Sequence, residues 1–382
     1  MEFPNLKIIG YGLVLIGIGI IASYSMPVYF EMVHNLPSDY FLKRQALYGS
    51  IGVGIMFLLG FLNPYRWFKV IGWVLFGVAG IALLTLPFLP DSLVPIINGS
   101  RRWLKLGVVK IAPMEFLKVG FIFFLAWSFN RKFLYQKLPF WEELKKIVPY
   151  IAVLAVVSGL VVVFQSDLGQ IIVITGVLFA MLFKAGRSLK VISFLGGIAW
   201  IVVVMAILTA PYRYERLSGW FNLVRSNFFH ENIQVSTQQK YAQVLDSLYA
   251  VYHGGVWGQG LGNGVFKLGY LRDVHTDFVL AGLTEEIGAV GTIGIIIITL
   301  LLIREIFRVA FRVRDEVFSF FAYGMGTMIG LQFFINIFGI FSVIPLKGIT
   351  VPLISYGGSS LISTAIGLGM VTMASRSEEL IQ

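Results

Sequence analysis

The chain has 382 residues, 57% of them hydrophobic and 13% charged, against about 25% charged in an ordinary globular protein. Such a chain cannot hide its apolar surface behind a polar shell, which excludes a soluble domain of ordinary size and makes lipid its solvent. It has no cysteine, which excludes disulfides, thiolate metal sites and thiol nucleophiles, and in a membrane protein its net charge of +10 reads first as basic cytoplasmic loops, not as a nucleic-acid surface.

A helix needs about 20 apolar residues to cross the hydrocarbon core. On that measure the sequence predicts an all-α polytopic membrane protein of about ten spans, at 8–28, 46–62, 67–88, 113–130, 147–164, 168–184, 191–210, 276–303, 318–342 and 349–374. The first segment has a small-x-small site at Ser23-Tyr-Ser25 of the kind that follows a leader. Its apolar run continues to Tyr29, however, and many such runs follow, so a retained helix is expected. No internal repeat or soluble linker divides the chain, which is expected to form one domain over 1–382.

Charge in the short loops sets the orientation. One set carries Arg66 and Lys69, then Arg131, Lys132, Lys137, Lys145 and Lys146, then Lys184, Arg187 and Lys190, then Arg304, Arg308, Arg312 and Arg314. The other set is poorer, with Lys43 and Arg44 in one loop and Lys347 in another, so both termini are expected in the cytoplasm. Two external loops depart from the pattern: 89–112 holds Arg101, Arg102, Lys105 and Lys110, and 211–275, between spans seven and eight, is too long for the charge rule to apply. Cations on the base-poor side suggest a bound anion such as a lipid phosphate; nonspecific attraction to headgroups explains them as well.

The fourth span opens on Pro113, and Glu115 and Lys118, three apart, share one helix face, either as an ion pair or with Lys118 turned toward the vestibule beside Arg101 and Arg102. Further on, Gly258-Gln-Gly-Leu-Gly-Asn-Gly264 lacks the strand–loop–helix setting of a nucleotide motif and reads as a tight segment near the membrane surface. His275-Thr-Asp-Phe278 opens the eighth span: Thr276 suits a helix cap, and Asp277 is either a first-turn acid favoured by the dipole or a carboxylate placed to accept a proton from a hydroxyl nucleophile. At 100° per residue Glu285 lies about 80° round from Asp277, with Glu286 on the opposite face. These two acids form a proton path or pair with bases of neighbouring helices. Ser355-Tyr-Gly-Gly-Ser-Ser360 lies in the last span, where with Pro345 and Pro352 it predicts an irregular helix; close packing explains its small residues as well. Histidines 34, 230, 253 and 275 show no metal-ligand spacing.

Together these motifs resemble the SEDS family (shape, elongation, division and sporulation proteins) over nearly the whole chain. The matching stretches are Tyr40-Phe-Leu-Lys-Arg-Gln45, Asn98-Gly-Ser-Arg-Arg-Trp103, Pro113-Met-Glu-Phe-Leu-Lys118 and Gln165-Ser-Asp-Leu-Gly169. Gly258 to Asn263, His275 to Phe278, Glu285-Glu-Ile-Gly288 and Pro352 to Ser360 complete the series. Tyr40 to Gln45 and the Lys347-Gly348 pair are division-type rather than elongation-type features. Two departures stand out: Leu271-Arg-Asp-Val274 replaces the usual Leu-Pro-Glu-Ala, and Ser166 replaces the proline common before Asp167.

The resemblance implies a peptidoglycan glycosyltransferase that polymerises lipid II at the septum. Asp277 matches the family's essential aspartate, with general base as its natural role. Arg101, Arg102, Lys118 and Lys347 would hold pyrophosphates, His275, Ser355 and Ser359 would line the substrate, and Glu115, Glu285 and Glu286 would support the site. A divalent cation, Mg²⁺ or Mn²⁺, is compatible with this chemistry, although no spacing calls for one. The implied partners are a class B penicillin-binding protein transpeptidase and other divisome membrane proteins, with no nucleic acid. A lipid II flippase and a noncatalytic divisome scaffold are the alternatives. Catalysis is preferred because Asp277 and the basic loops gather on one side.

Overall fold

The computed structural model describes residues 5–97, 99–107, 109–133, 138–209, 211–229, 242–271, 273–345 and 348–377. Among them the chain forms thirteen helices. In order these are α1 (Leu6–Ser25), α2 (Val28–Val33), α3 (Tyr40–Phe61), α4 (Pro64–Thr85), α5 (Pro113–Lys132), α6 (Phe140–Leu160) and α7 (Leu168–Lys184). They continue with α8 (Leu189–Leu208), α9 (Pro211–Phe229), α10 (Ala242–Gly254), α11 (Val279–Arg312), α12 (Glu316–Ile340) and α13 (Gly358–Ser375). Eight of the helices are long and apolar enough to span a bilayer. The other two predicted spans are α7, apolar but only 17 residues long, and α5, which carries Glu115 and Lys118 inside and Arg131 and Lys132 at its end.

Local chemistry sets the helix starts. Asn63 Oδ1 accepts the Tyr65 N–H at 3.0 Å with Pro64 in the first turn of α4, and Asp315 Oδ1 accepts the N–H groups of Val317 and Phe318 at 2.8 and 3.2 Å to open α12. At the centre α12 and α13 are buried along most of their length, whereas α8 is almost wholly exposed, toward lipid. Between them Phe68, Phe123, Phe129, Tyr150 and Phe321 interlock edge to face in the core.

Three features differ from the sequence reading. A two-stranded hairpin, β1 (Leu104–Leu106) with β2 (Val109–Ile111), lies in the 89–112 loop, so the fold is helical apart from this short ribbon. The predicted span 276–303 starts at Val279 and runs on to Arg312, broken at Gly288, whose φ of 71° and ψ of −176° no helix contains. Residues 255–260 fill that break. The amides of Gln259 and Gly260 donate to the carbonyls of Glu285 and Glu286, both at 2.9 Å, and the amides of Ala289 and Val290 donate to those of Gly255 and Val256 at 2.9 and 3.2 Å. Backbone at membrane depth must be satisfied within the protein, and here the glycine-rich loop does it. Finally, the last predicted span is irregular up to Gly357, as the prolines required, and α13 begins only at Gly358.

Helix polarity and loop contacts gather the starts of α3, α5, α7, α11 and α13 at one end of the bundle. Arg102 Nε donates to the Gln165 carbonyl at 2.7 Å, the Ala112 amide to Ser359 Oγ at 3.0 Å, and Ser355 Oγ to the Thr276 carbonyl at 2.6 Å. The other end is tied separately: Lys184 Nζ donates to Ser319 Oγ at 2.8 Å, and Arg376 Nη1 to the Gly60 carbonyl at 3.0 Å.

Candidate active site

Asp277 stands at the first end, just outside α11. Phe278 is the residue flanking the helix and makes no side-chain cap, so Thr276 is not the cap its type suggested. Its hydroxyl donates instead to the Asp273 carbonyl at 3.3 Å, which also receives the amides of Thr276, Asp277 and Phe278 at 3.1, 3.1 and 3.3 Å. This tight turn lifts Asp277 out of the helical ladder and leaves its side chain half-buried.

Three consecutive carbonyls then fix the turn from outside. His275 O accepts the Tyr356 amide at 2.9 Å, Thr276 O accepts Ser355 Oγ at 2.6 Å, and Asp277 O accepts Asn336 Nδ2 at 2.7 Å. Asn336, fully buried on α12, also donates to Ile349 O at 2.7 Å, and Gln45 Nε2 reaches Ser355 O at 3.3 Å. So α12 holds the Asp277 carbonyl itself, the 348–357 segment holds the two carbonyls before it, and α3 braces that segment through Gln45. Gly348 is where that segment meets the carboxylate: a Cβ there would lie 2.8 Å from Asp277 Oδ2, so only glycine lets the chain pass so close.

His275 is buried among Phe30, Phe41 and Tyr356, with ring centroids 5.4, 5.0 and 6.0 Å away, and its Nδ1 has no hydrogen-bond partner among the described residues. Burial pushes its pKa down to about 4, so near neutral pH the ring is uncharged. It packs the turn rather than offering a cation.

The basic residues are held by the protein itself. Arg101 Nη2 pairs with Asp91 and its Nη1 donates to Leu89 O at 3.0 Å, which organises the 89–101 loop. Arg102 Nη1 lies 3.5 Å from Asp167 Oδ2 in the α6–α7 turn. Burial raises the Asp167 pKa, and the Arg102 charge opposes that shift. Lys118 is 1% exposed, 2.9 Å from Glu115 Oε2, and beside a small cavity lined by Met114, Leu117, Phe121 and Leu154. The ion pair, not a vestibule-facing lysine, is what the structure contains. Glu115 Oε1 accepts Gln170 Nε2 at 2.9 Å, so Arg102, Asp167, Gln170, Glu115 and Lys118 form one polar cluster at the starts of α5 and α7. Ser359 Oγ links α13 to this side, accepting the Ala112 amide and donating to Lys110 O at 3.4 Å. Lys347 lies outside the described residues.

Glu285 and Glu286 pair with bases, as one of the two readings expected: His253 from the neighbouring helix α10, and Lys267 from the loop that follows it. Glu285 Oε1 accepts from the Val265 amide at 2.7 Å and contacts His253 Nδ1 at 2.9 Å. Glu286 Oε1 accepts from Lys267 Nζ and from Ser25 Oγ, each at 2.6 Å. Lys267 Nζ also donates to Gly262 O at 2.7 Å, which pins the glycine-rich loop to α1 and α11. Among the described residues no three His, Asp or Glu side chains converge.

Sequence reasoning missed Asn336, although a buried amide in an apolar helix is expensive and signals a task, and it gave Gln45, inside the Tyr40 to Gln45 stretch, no role. Asp167 and Gly348 lay inside quoted motifs without an assigned role; their contacts with Arg102 and Asp277 exist only in the folded chain.

Fold and site together define a multi-pass membrane protein with a single aspartate-centred polar site at one end of its bundle. The chain belongs to the FtsW/RodA/SpoVE family of cell cycle proteins, whose profile matches residues 5–380. It is 38% identical over 371 residues to the probable peptidoglycan glycosyltransferase FtsW of Helicobacter pylori strain ATCC 700392 / 26695, covering 95% of this chain and 96% of that protein. Against the stage V sporulation protein E of Bacillus subtilis strain 168 the identity is 35% over 381 residues, covering 98% and 97%. A solved chain described as "Structural coordination of polymerization and crosslinking by a peptidoglycan synthase complex" superposes with a TM-score of 0.70 at 25% identity, covering 98% of each chain. The crystal structure of Thermus thermophilus RodA superposes with a TM-score of 0.63 at 25% identity, covering 98% of this chain and 97% of that one.

Proposed function

We propose that this chain is a division-type peptidoglycan glycosyltransferase that polymerises lipid II at the outer face of the bacterial cytoplasmic membrane. Its relatives' names and the peptidoglycan synthase complex it superposes on support the reading. The observation that carries it is the half-buried Asp277, on a turn whose three consecutive carbonyls are held by α12 and the 348–357 segment while its side chain lies against Gly348.

The acceptor sugar hydroxyl attacks the anomeric carbon of the growing chain, the bond from that carbon to the lipid-linked pyrophosphate breaks, and the hydroxyl proton passes to Asp277. A base that must not move during proton transfer gains from a backbone held on three consecutive carbonyls. Arg102 and Lys118, with their acidic partners, set the field on the α5–α7 side where pyrophosphate charge develops. Arg101 and Ser359 build the loops that carry this cluster, and Ser355 and His275 hold the Asp277 turn.

Both termini lie in the cytoplasm, from the loop charges, and the site faces outward. Reporter fusions after Asn63 and Arg314 will report cytoplasm, and one at Asp91 the exterior; reversal at two of them removes the site from the side where lipid II is polymerised. The partner is a class B penicillin-binding protein that cross-links the new strand.

The deciding experiment incubates purified protein with lipid II, with and without that transpeptidase, and resolves the glycan products on a gel. Polymer from the parent and none from Asp277→Asn is expected. Undiminished polymer from the variant removes the base role. Lipid II translocation in vesicles with no polymer supports a flippase instead.

A further inference from the structure

The Tyr40 to Gln45 motif is only partly accounted for by the site. Gln45 and Phe41 hold the Asp277 turn, but Arg44 does not. At this end of the bundle Lys43, Arg101, Arg102, Lys118 and Lys267 each pair with a carboxylate of the chain, to Asp39, Asp91, Asp167, Glu115 and Glu286 respectively. Lys105 and Lys110 face each other, exposed, across the hairpin. Arg44 is half-buried and has no carboxylate partner among the described residues.

Its surroundings orient it. The guanidinium lies 4.4 Å from the centroid of the Tyr40 ring and beside the Tyr356 hydroxyl, whose pKa burial pushes up to about 12, with Arg44 opposing that shift and Tyr48 and Tyr40 adding to it. A guanidinium stacked on a ring keeps N–H donors at its edge, in the fork that matches phosphate oxygens. The phenol hydroxyls of Tyr40, Tyr48 and Tyr356 around it are further hydrogen-bond donors. The cluster touches the catalytic turn directly, because Tyr356 donates its amide to His275 O and packs on Phe41 with centroids 4.7 Å apart. The start of α13 separates it from the Arg102 cluster: Gly358 rests on the Tyr48 ring, and Ser359 binds Ala112 on the other side.

We propose that Arg44, with Tyr40, Tyr48 and Tyr356, forms a second pyrophosphate subsite, across the α13 start from the Arg102 cluster. This rests on the polymerase reading, in which two lipid-linked molecules meet at one carboxylate and each brings its own pyrophosphate. The arrangement gives each of the two a separate cationic position.

The test uses the full chain in nanodiscs with geranylgeranyl pyrophosphate as probe, measuring its affinity directly. Arg44→Ala weakens binding about 10- to 100-fold, as expected for loss of a charge-assisted fork. Arg44→Lys falls between Ala and parent, Tyr356→Phe weakens binding severalfold, and Lys43→Ala, one residue away, leaves it within about twofold. If Arg44→Ala does not fold, as read by thermal unfolding, Arg44→Lys and Tyr356→Phe decide. Parental affinity in the folded Arg44 variants overturns the subsite. So does a Lys43→Ala defect as large as that of Arg44→Ala, which would mean general attraction, or equal competition by phosphatidylglycerol in the disc, which would mean an ordinary headgroup site. The two proposals fail separately. A parent that polymerises lipid II while Arg44→Ala binds normally loses only the subsite; a parent that binds the probe but makes no polymer loses only the polymerase.

Discussion

Two acidic stretches flank the start of α11, and they are built to opposite ends. Glu285 and Glu286 are buried with full sets of partners: backbone amides, His253, Lys267 and Ser25. Asp277 is half-buried, and the protein's effort goes into its backbone, through Asn336, Ser355 and Tyr356. A carboxylate whose lone pairs are saturated by buried donors holds structure together, because displacing any donor strands a charge in low dielectric. A half-buried carboxylate on a turn held by its main chain can exchange partners with a substrate at a smaller cost. Acidity at membrane depth therefore does not identify a catalytic residue; the way the acid is held does.

The sharpest way to break this comparison is to neutralise each acid in turn. Asp277→Asn should lower polymerisation by about a hundred- to ten-thousandfold, the range for a positioned base, with the unfolding temperature in detergent unchanged. A large loss of thermal stability instead would place Asp277 with the structural acids. Lys267→Met should do the reverse, costing about 3–5 kcal/mol of stability by leaving Glu286 unpaired, and adding Glu286→Gln should restore part of it. Thermal unfolding and the folded fraction read this out, and activity per folded molecule should stay near parental.

Arg102→Ala tests the other side of the site. A loss of about 2–4 kcal/mol of transition-state stabilisation, or roughly 30- to 1,000-fold in turnover, is expected, and added salt should not reproduce it. Turnover within threefold of the parent would make Arg102 a scaffold for the Asp167 turn and nothing more. The smallest effect is expected from Ser355→Ala, which removes the donor to Thr276 O and the acceptor of the Val351 amide: about 1–2 kcal/mol, seen as a slower turnover with substrate affinity retained. A change confined to affinity would mean that Ser355 touches substrate instead.

Composition and hydropathy were enough to predict a ten-span helical bundle, because the hydrocarbon core imposes a length and an apolarity that a sequence displays directly. Asp277, Arg102, Lys118 and the Glu pair were legible as charges where charge is costly. Which of them were already paired was not legible, since partners such as Lys118 with Glu115 and Lys267 with Glu286 depend on side-chain direction and loop path as much as on spacing. The break at Gly288 and the loop that fills it were hidden for the same reason: a glycine inside an apolar run looks like helix until another segment supplies its hydrogen bonds. Local patterns determined the spans and the acids within this chain. Only the tertiary structure decided that Asn336, 59 residues from Asp277, holds the Asp277 turn, because that contact exists only once α12 packs beside the start of α11.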